Sequence, residues 1–389
     1  MDRNESRAES MRRDNRIERT ERGRKKISYF DYSLLFVIIF LICFGFLMMY
    51  SASSFSGTME YGDSRYFLNK QLKASFLGVL VMVACMVLNY NMLKRISVFF
   101  YVASLGLVTL VWSPIGMELN GARRWIRIMG MSFQPAECVK LAVIIATAHY
   151  ITVNYRRLNS IVEMVKAMGF GIFGTLWVGL ITRNMSSAII IMGITFVMVF
   201  VASPQVKEFV VMFLALIPVG AAGIFLASFR AERFKVWLDP TKYASKGGFQ
   251  VLQGLYAIGS GGIIGKGLGQ SVQKLGYIPE AQNDYIFTII CEELGLVGAF
   301  AVVFMFMFII IRMYVIANNA PNLFASMLVV GVMAQIAIQV ILNIAVVTNS
   351  IPNTGVTLPF ISYGGTSVLF LMAEVGIVLG VSRSIRRIN

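Results

Sequence analysis

The chain has 389 residues, 57% hydrophobic and only 14% charged, with 35 Lys and Arg against 20 Asp and Glu and a net charge of +15. A mean hydropathy of +0.70 lies far above the balance of a water-soluble domain and excludes an ordinary soluble enzyme. The positive charge is read as membrane orientation charge plus a tail near anionic lipid, so no nucleic acid partner is expected.

Residues 1–30 read as a basic cytoplasmic tail. The first 26 carry ten Lys or Arg against six acids and almost nothing to bury, so disorder is expected there. The apolar stretch that follows is too long for a signal-peptide core and shows no small-residue cleavage site, which makes it an uncleaved first helix. Ten candidate spans lie near 32–50, 73–88, 97–113, 138–151, 165–182, 187–202, 208–228, 285–313, 323–347 and 364–382. No alternating decads of barrel type occur, so the predicted fold is an all-α integral membrane protein of about ten helices, its transmembrane domain covering 31–382. The basic pairs Lys94/Arg95 and Arg156/Arg157, with Lys207, Arg312 and the basic end at 383–389, fall on the tail's side, so both termini are placed in the cytoplasm. The outer face then receives the loops 51–72, 114–137, 183–186, 229–284 and 348–363, the largest being 229–284 between the seventh and eighth helices.

Cys43, Cys85, Cys138 and Cys291 lack paired spacing and read as small buried hydrophobes, and His149 reads as a packed or interfacial residue. The polar chemistry collects outside. Loop 114–137 holds "NGARRWIRI" with Arg123, Arg124 and Arg127, which either face an anion or snorkel toward outer-leaflet phosphates, with Trp125 as a belt residue. In "QPAECVK", Glu137 and Lys140 stand three apart and share a helix face. A pair this close to hydrocarbon is either functional or a device that orients two helices.

The glycine run "GSGGIIGKGLGQS" over 259–271 fails as a phosphate loop, because Ser260 and Gly267 stand where Gly and Ser or Thr are needed. Its glycines are expected to let backbone turn tightly or approach a ligand closely. Further on, "YIPEAQNDYIFTIICEELG" gathers Glu280, Asp284, Glu292 and Glu293 at the mouth of an apolar run. Pro279 suits the first turn of a helix with Glu280 at its positive end, and Asp284, Thr288, Cys291 and Glu292 would then share one face. Asp284 falls at the outer boundary. Glu292 and Glu293 lie deeper and need partners, Lys140 and Arg183 being candidates. These groups suit either chemistry on a lipid-linked anionic substrate or a proton-coupled transporter.

The segments "MMYSASS" (48–54), "NGARRWI" (120–126), "QPAECVK" (134–140), the long run 247–298 and "PNTGVTLPFISYGGTS" (352–367) resemble the SEDS family of bacterial membrane proteins, whose members include FtsW, RodA and SpoVE. The resemblance covers nearly everything after the tail, and "NSIPNTGVTLPFISYGGTS" with "GDSRYFLNKQL" is more like FtsW than RodA, with SpoVE-like and RodA-like roles kept as alternatives. It implies an inverting peptidoglycan glycosyltransferase that polymerises lipid II in the cytoplasmic membrane, beside a class B penicillin-binding protein and other division-complex proteins. By that resemblance Asp284 of "PEAQND" is the catalytic aspartate, Glu137 and Lys140 are the functional pair of "QPxExxK", and Trp125 is the family tryptophan. Arg123, Arg124 and Lys140, or a divalent cation such as Mg or Mn, would stabilise the departing pyrophosphate. Glu280, Glu292, Glu293, Ser362, Gly364 and Gly365 are expected in supporting or structural roles. Where many relatives carry an acidic stretch before the sixth span, this chain reads "TRNMSSA" with Arg183 and Asn184. A lipid II flippase and a scaffold for the transpeptidase are the rival functions.

Overall fold

The computed structural model describes residues 26–119, 122–128, 131–203, 205, 207–211, 214 and 228–388. Asp31 opens the first long helix, α1 (Tyr32–Tyr61), by accepting a hydrogen bond from the Leu34 amide at 2.9 Å. The helix runs eleven residues past the expected end at 50, because Ser51, Ala52 and Ser53 are small and buried within it. It stops at Gly62, whose φ of +69° caps it, and α2 (Tyr66–Val87) begins at once. The expected loop 51–72 therefore shrinks to a four-residue turn.

The chain continues through α3 (Asn91–Thr109), the strands β2 (Gly116–Leu119), β3 (Ala122–Ile128) and β4 (Met131–Phe133), then α4 (Pro135–Asn154), α5 (Ile161–Ile181) and α6 (Met185–Ala202). Two shorter helices, α7 (Ser228–Leu238) and α8 (Gly248–Ser260), precede α9 (Ile286–Asn318), α10 (Leu323–Val347) and α11 (Gly365–Ser384). Among the described residues, nine helices are long and apolar enough to cross a membrane. The seventh expected span, 208–228, lies largely outside the described residues, as do residues 1–25 of the tail. Loop 114–137 is more ordered than a sequence of turns and charges implies, since β2, β3 and β4 form a three-stranded antiparallel sheet.

α4, α10 and α11 are the most enclosed helices, and their apolar faces build the core with α1, α6 and both halves of α9. On the face that gathers the chain ends, β1 (Lys26–Ser28) pairs antiparallel with β5 (Arg386–Ile388). Arg312 on α9 reaches Asp31 at 2.7 Å there, tying the start of α1 to the far end of α9.

α9 is broken at Gly295, where φ is +66° and ψ is −164°. The glycine run supplies the partners that the break removes. Lys266 and Gly267 donate their amides to the Glu292 and Glu293 carbonyls at 3.0 Å, while Leu296 and Val297 donate to the carbonyls of Gly262 and Ile263 at 3.0 and 3.2 Å. A Cβ on Gly265 would stand 2.2 Å from the Glu293 carbonyl oxygen, so the loop lies flat on the helix only because it has none. The close approach foreseen for these glycines is thus to another backbone rather than to a ligand.

Candidate active site

Four of the five expected outer loops converge on one cavity of about 400 Å³. From loop 229–284 come Arg233, Glu280, Asn283 and Asp284, and from loop 348–363 come Gly355 and Tyr363. The loop containing β3 and β4 adds Arg124, Trp125 and Gln134, and the 183–186 turn adds Asn184 and Ser186. Glu137 and Lys140 from α4 and Gln339 from α10 line the same space.

Asp284 is not on a helix, because α9 begins two residues later and the segment 277–285 is a series of turns. Glu280, expected in a first helical turn, instead has φ of +49° and accepts a hydrogen bond from Asn283 at 2.9 Å. The Asp284 backbone is held by Asn343 on α10, whose side-chain amide donates to the carbonyls of Asp284 and Val356 at 2.8 and 2.7 Å. Gly355 lies against the carboxylate, and a Cβ there would be 3.5 Å from Oδ2. Burial pushes the Asp284 carboxyl up to about 6, and the nearby Glu280 charge works in the same direction while Arg233 opposes both. A carboxylate poised there can accept a proton from a hydroxyl near neutral pH.

Arg233, on α7, is one of the basic residues of the large outer loop and is not among the site residues expected from the sequence. Its Nη1 donates to the Asn353 carbonyl at 2.8 Å, and it acts electrostatically on Asp284 across the cavity. The one signal for it is the basic excess of loop 229–284, seven Lys or Arg against four acids, which orientation alone does not require. Arg124 donates to the Arg183 carbonyl at 3.2 Å. Burial lowers the pKa of Arg124, and the charge of Arg233 lowers it further, so the two guanidinium groups make one electropositive wall.

Arg123 does not join them. The pleat of β3 turns it away, toward Glu118 at 3.3 Å and over the Trp112 ring at 5.5 Å, where it is exposed. Its expected role as a substrate ligand is not supported by this geometry. Arg183 is likewise exposed, and only its carbonyl serves the site, while Asn184 caps α6 by accepting from the Ser187 amide at 3.2 Å.

Glu137 and Lys140 pair at 2.7 Å, both almost fully buried at the cavity floor. Pro135 occupies the first position of α4, where its missing amide hydrogen costs nothing, and Glu137 sits in the favourable first turn. Glu292 and Glu293 turn away from the cavity, and their partners are neither Lys140 nor Arg183. Lys266 meets Glu292 at 2.6 Å, and Lys274 meets Glu293 at 2.8 Å, with Ser51 of α1 donating to Glu293 at 2.6 Å. Both carboxylates therefore clamp the large loop to α9. Ser362 is a turn former, its hydroxyl accepting from the Leu358 amide at 2.8 Å, whereas Gly364 and Gly365 do line the cavity.

Three helices begin at this cavity. The first residues of α4, α6 and α11 all contribute to its lining, so three positive helix ends face it together with Arg124, Arg233 and Lys140. Among the described residues, no three His, Cys, Asp or Glu side chains gather as a metal site. The arrangement can bind an anion and place a hydroxyl against a carboxylate at the edge of the apolar layer.

Residues 32–387 match the family model of the FtsW, RodA and SpoVE cell cycle proteins. Over 357 residues the chain is 38% identical to the stage V sporulation protein E of Bacillus subtilis (strain 168), covering 91% of this chain and 97% of that protein. It is 35% identical to the "Probable peptidoglycan glycosyltransferase FtsW" of the same organism, covering 93% of each. A chain from a structure described as the structural coordination of polymerization and crosslinking by a peptidoglycan synthase complex superposes with a TM-score of 0.73 at 28% identity, covering 92% of this chain and 98% of that one. With its cavity, its nine described spans and a match over almost its whole length, this multi-pass membrane protein belongs to the FtsW/RodA/SpoVE family of cell cycle proteins.

Proposed function

We propose that the protein is an inverting peptidoglycan glycosyltransferase that polymerises lipid II at the outer face of the bacterial cytoplasmic membrane. The observation that carries this reading is Asp284, a carboxylate pushed up to about 6 in a cavity whose other walls bring Arg124, Arg233 and Lys140. A sugar hydroxyl is a weak nucleophile at neutral pH, and a positioned base accelerates its attack by roughly 10²–10⁴-fold. Asp284 takes the proton from the acceptor GlcNAc 4-hydroxyl as its oxygen bonds to the donor MurNAc anomeric carbon. The bond from that carbon to the lipid pyrophosphate breaks, and the negative charge leaves with the pyrophosphate. Since this leaving group needs no protonation, one carboxylate suffices where a glycosidase ordinarily uses two.

Arg124, Arg233 and Lys140 are assigned to the pyrophosphate, and Glu137 to holding Lys140 in place. Trp125 borders the cavity as a wall for the sugars. A divalent cation, Mg or Mn, finds no ready protein-only site among the described residues. Asp284 and Glu280 are the carboxylates that could share such an ion with substrate phosphates. No step above depends on it.

The partner assignment is a class B penicillin-binding protein, supported by the likeness to a chain from a peptidoglycan synthase complex. A role at the division septum, with other division-complex proteins, follows from the FtsW-like sequence form, and the SpoVE likeness supports sporulation as its counterpart. Lipid II translocation is the second reading, favoured by the break of α9 at Gly295. Purified protein with its partner, given labelled lipid II in liposomes, separates the two. Glycan chains on a gel support polymerisation, and lipid crossing without chains would support transport.

A further inference from the structure

The first turn of α11 brings to the cavity wall backbone donors that the protein leaves unused. Gly364 is its cap residue and offers no side-chain cap. The Gly364 amide donates to Gln71 at 3.3 Å, but the Gly365 and Thr366 amides have no hydrogen-bond partner among the described residues. Gly365 has φ of +25° and nothing within 4 Å of where a Cβ would stand, so its backbone is open to the cavity. Ser367, in the same turn, is nine-tenths buried and lines the cavity, and its hydroxyl has no hydrogen-bond partner among the described residues.

The neighbouring donors are partly engaged. Lys140 is held by Glu137, Arg233 by the Asn353 carbonyl and Arg124 through Nη2 by the Arg183 carbonyl, while the buried Arg124 Nε keeps no partner among the described residues. α6 is capped by its own Asn184 side chain, and α4 starts with a proline that has no amide hydrogen. A twenty-residue helix whose first amides border a ligand space, beside the unpartnered hydroxyl of a nine-tenths-buried serine, is a ready anion site.

We propose that the Gly364–Ser367 turn cradles the diphosphate of a prenyl diphosphate, receiving it on the Gly365 and Thr366 amides and the Ser367 hydroxyl. This rests on the glycosyltransferase reading only in taking the donor to be a lipid diphosphate. The turn orients the leaving group, while Lys140 and the arginines add charge from the sides.

Ser367→Asp separates this role from a structural one. A carboxylate in the first turn stabilises a helix, so the variant should fold with an unchanged or raised melting temperature. The same carboxylate occupies the anion's place and repels it. Titration of purified protein in detergent with geranyl diphosphate should give binding at least tenfold weaker for Ser367→Asp than for wild type. Ser367→Ala, which removes one donor, should weaken binding by a smaller factor. Equal binding by wild type and Ser367→Asp would overturn the cradle, as would a wild type that binds geraniol as well as geranyl diphosphate. If wild type binds the diphosphate and Ser367→Asp does not, the cradle stands even where lipid II is not polymerised, and only the glycosyltransferase reading falls.

Discussion

Lys274 Nζ lies 2.8 Å from Glu293 Oε1, and this buried pair holds the large loop against α9 just behind the segment that carries Asp284. Breaking it by Lys274→Ala leaves a buried carboxylate without its cation and is expected to cost about 3–5 kcal/mol. Lys166 and Glu163 are 2.7 Å apart, but Lys166 is more than half exposed, and Lys166→Ala should cost under about 1 kcal/mol. Melting of the two variants in one detergent checks the contrast, which equal losses would contradict.

The broken helix gives a second comparison. Gly262 and Gly265 both have positive φ, but a Cβ meets nothing at Gly262 and stands 2.2 Å from the Glu293 carbonyl oxygen at Gly265. Gly262→Ala is expected to cost about 1 kcal/mol through backbone strain, and Gly265→Ala roughly 3 kcal/mol or more, through strain and overlap together. Thermal unfolding orders them.

Neighbouring arginines on β3 should behave differently. Arg124→Ala removes a cavity guanidinium and is expected to raise KM for lipid II by roughly 10- to 100-fold, the worth of one charge-assisted hydrogen bond. Arg123→Ala, facing Glu118 and Trp112, should leave KM within about twofold because an exposed pair contributes little. Steady-state polymerisation at varied lipid II concentration separates them.

The Asp284 carboxyl, raised to about 6, sets a pH dependence. The base works ionised, so the rate should fall as pH drops through about 6. Because the folded-state value exceeds the unfolded one, proton uptake favours the folded chain most below the unfolded value, and this contribution is lost as pH rises through about 6. Asp284→Asn should therefore be as stable as wild type at pH 7, or more stable by up to roughly 3 kcal/mol. A pH series of melting temperatures for both proteins tests the sign.

The spans and the outward grouping of polar loops were legible because hydrocarbon demands long apolar runs and leaves motifs conspicuous between them. Asp284, Arg124, Glu137 and Lys140 stood out for that reason, the family resemblance supplied their roles and added Trp125, and all five line the cavity. Arg123 was misjudged because adjacent positions look equivalent in a string, while a strand sends them to opposite faces. The partners of Glu292 and Glu293 were missed because Lys266 and Lys274 reach them through a helix break at Gly295 that a continuous helical period conceals. Arg233 was obscure because its importance comes from α7 folding back over residues 349–353, where Trp237 donates to the Asn349 carbonyl at 2.9 Å.

The central claim is that Asp284 is the base of a polymerase. Its most direct test is polymerisation of fluorescent lipid II by purified complexes with a class B penicillin-binding protein, comparing wild type with Asp284→Asn at equal complex content and matched melting temperature. Glycan chains from wild type and none from Asp284→Asn are the expected result. Equal chain formation by both would remove Asp284 from the chemistry and contradict the account.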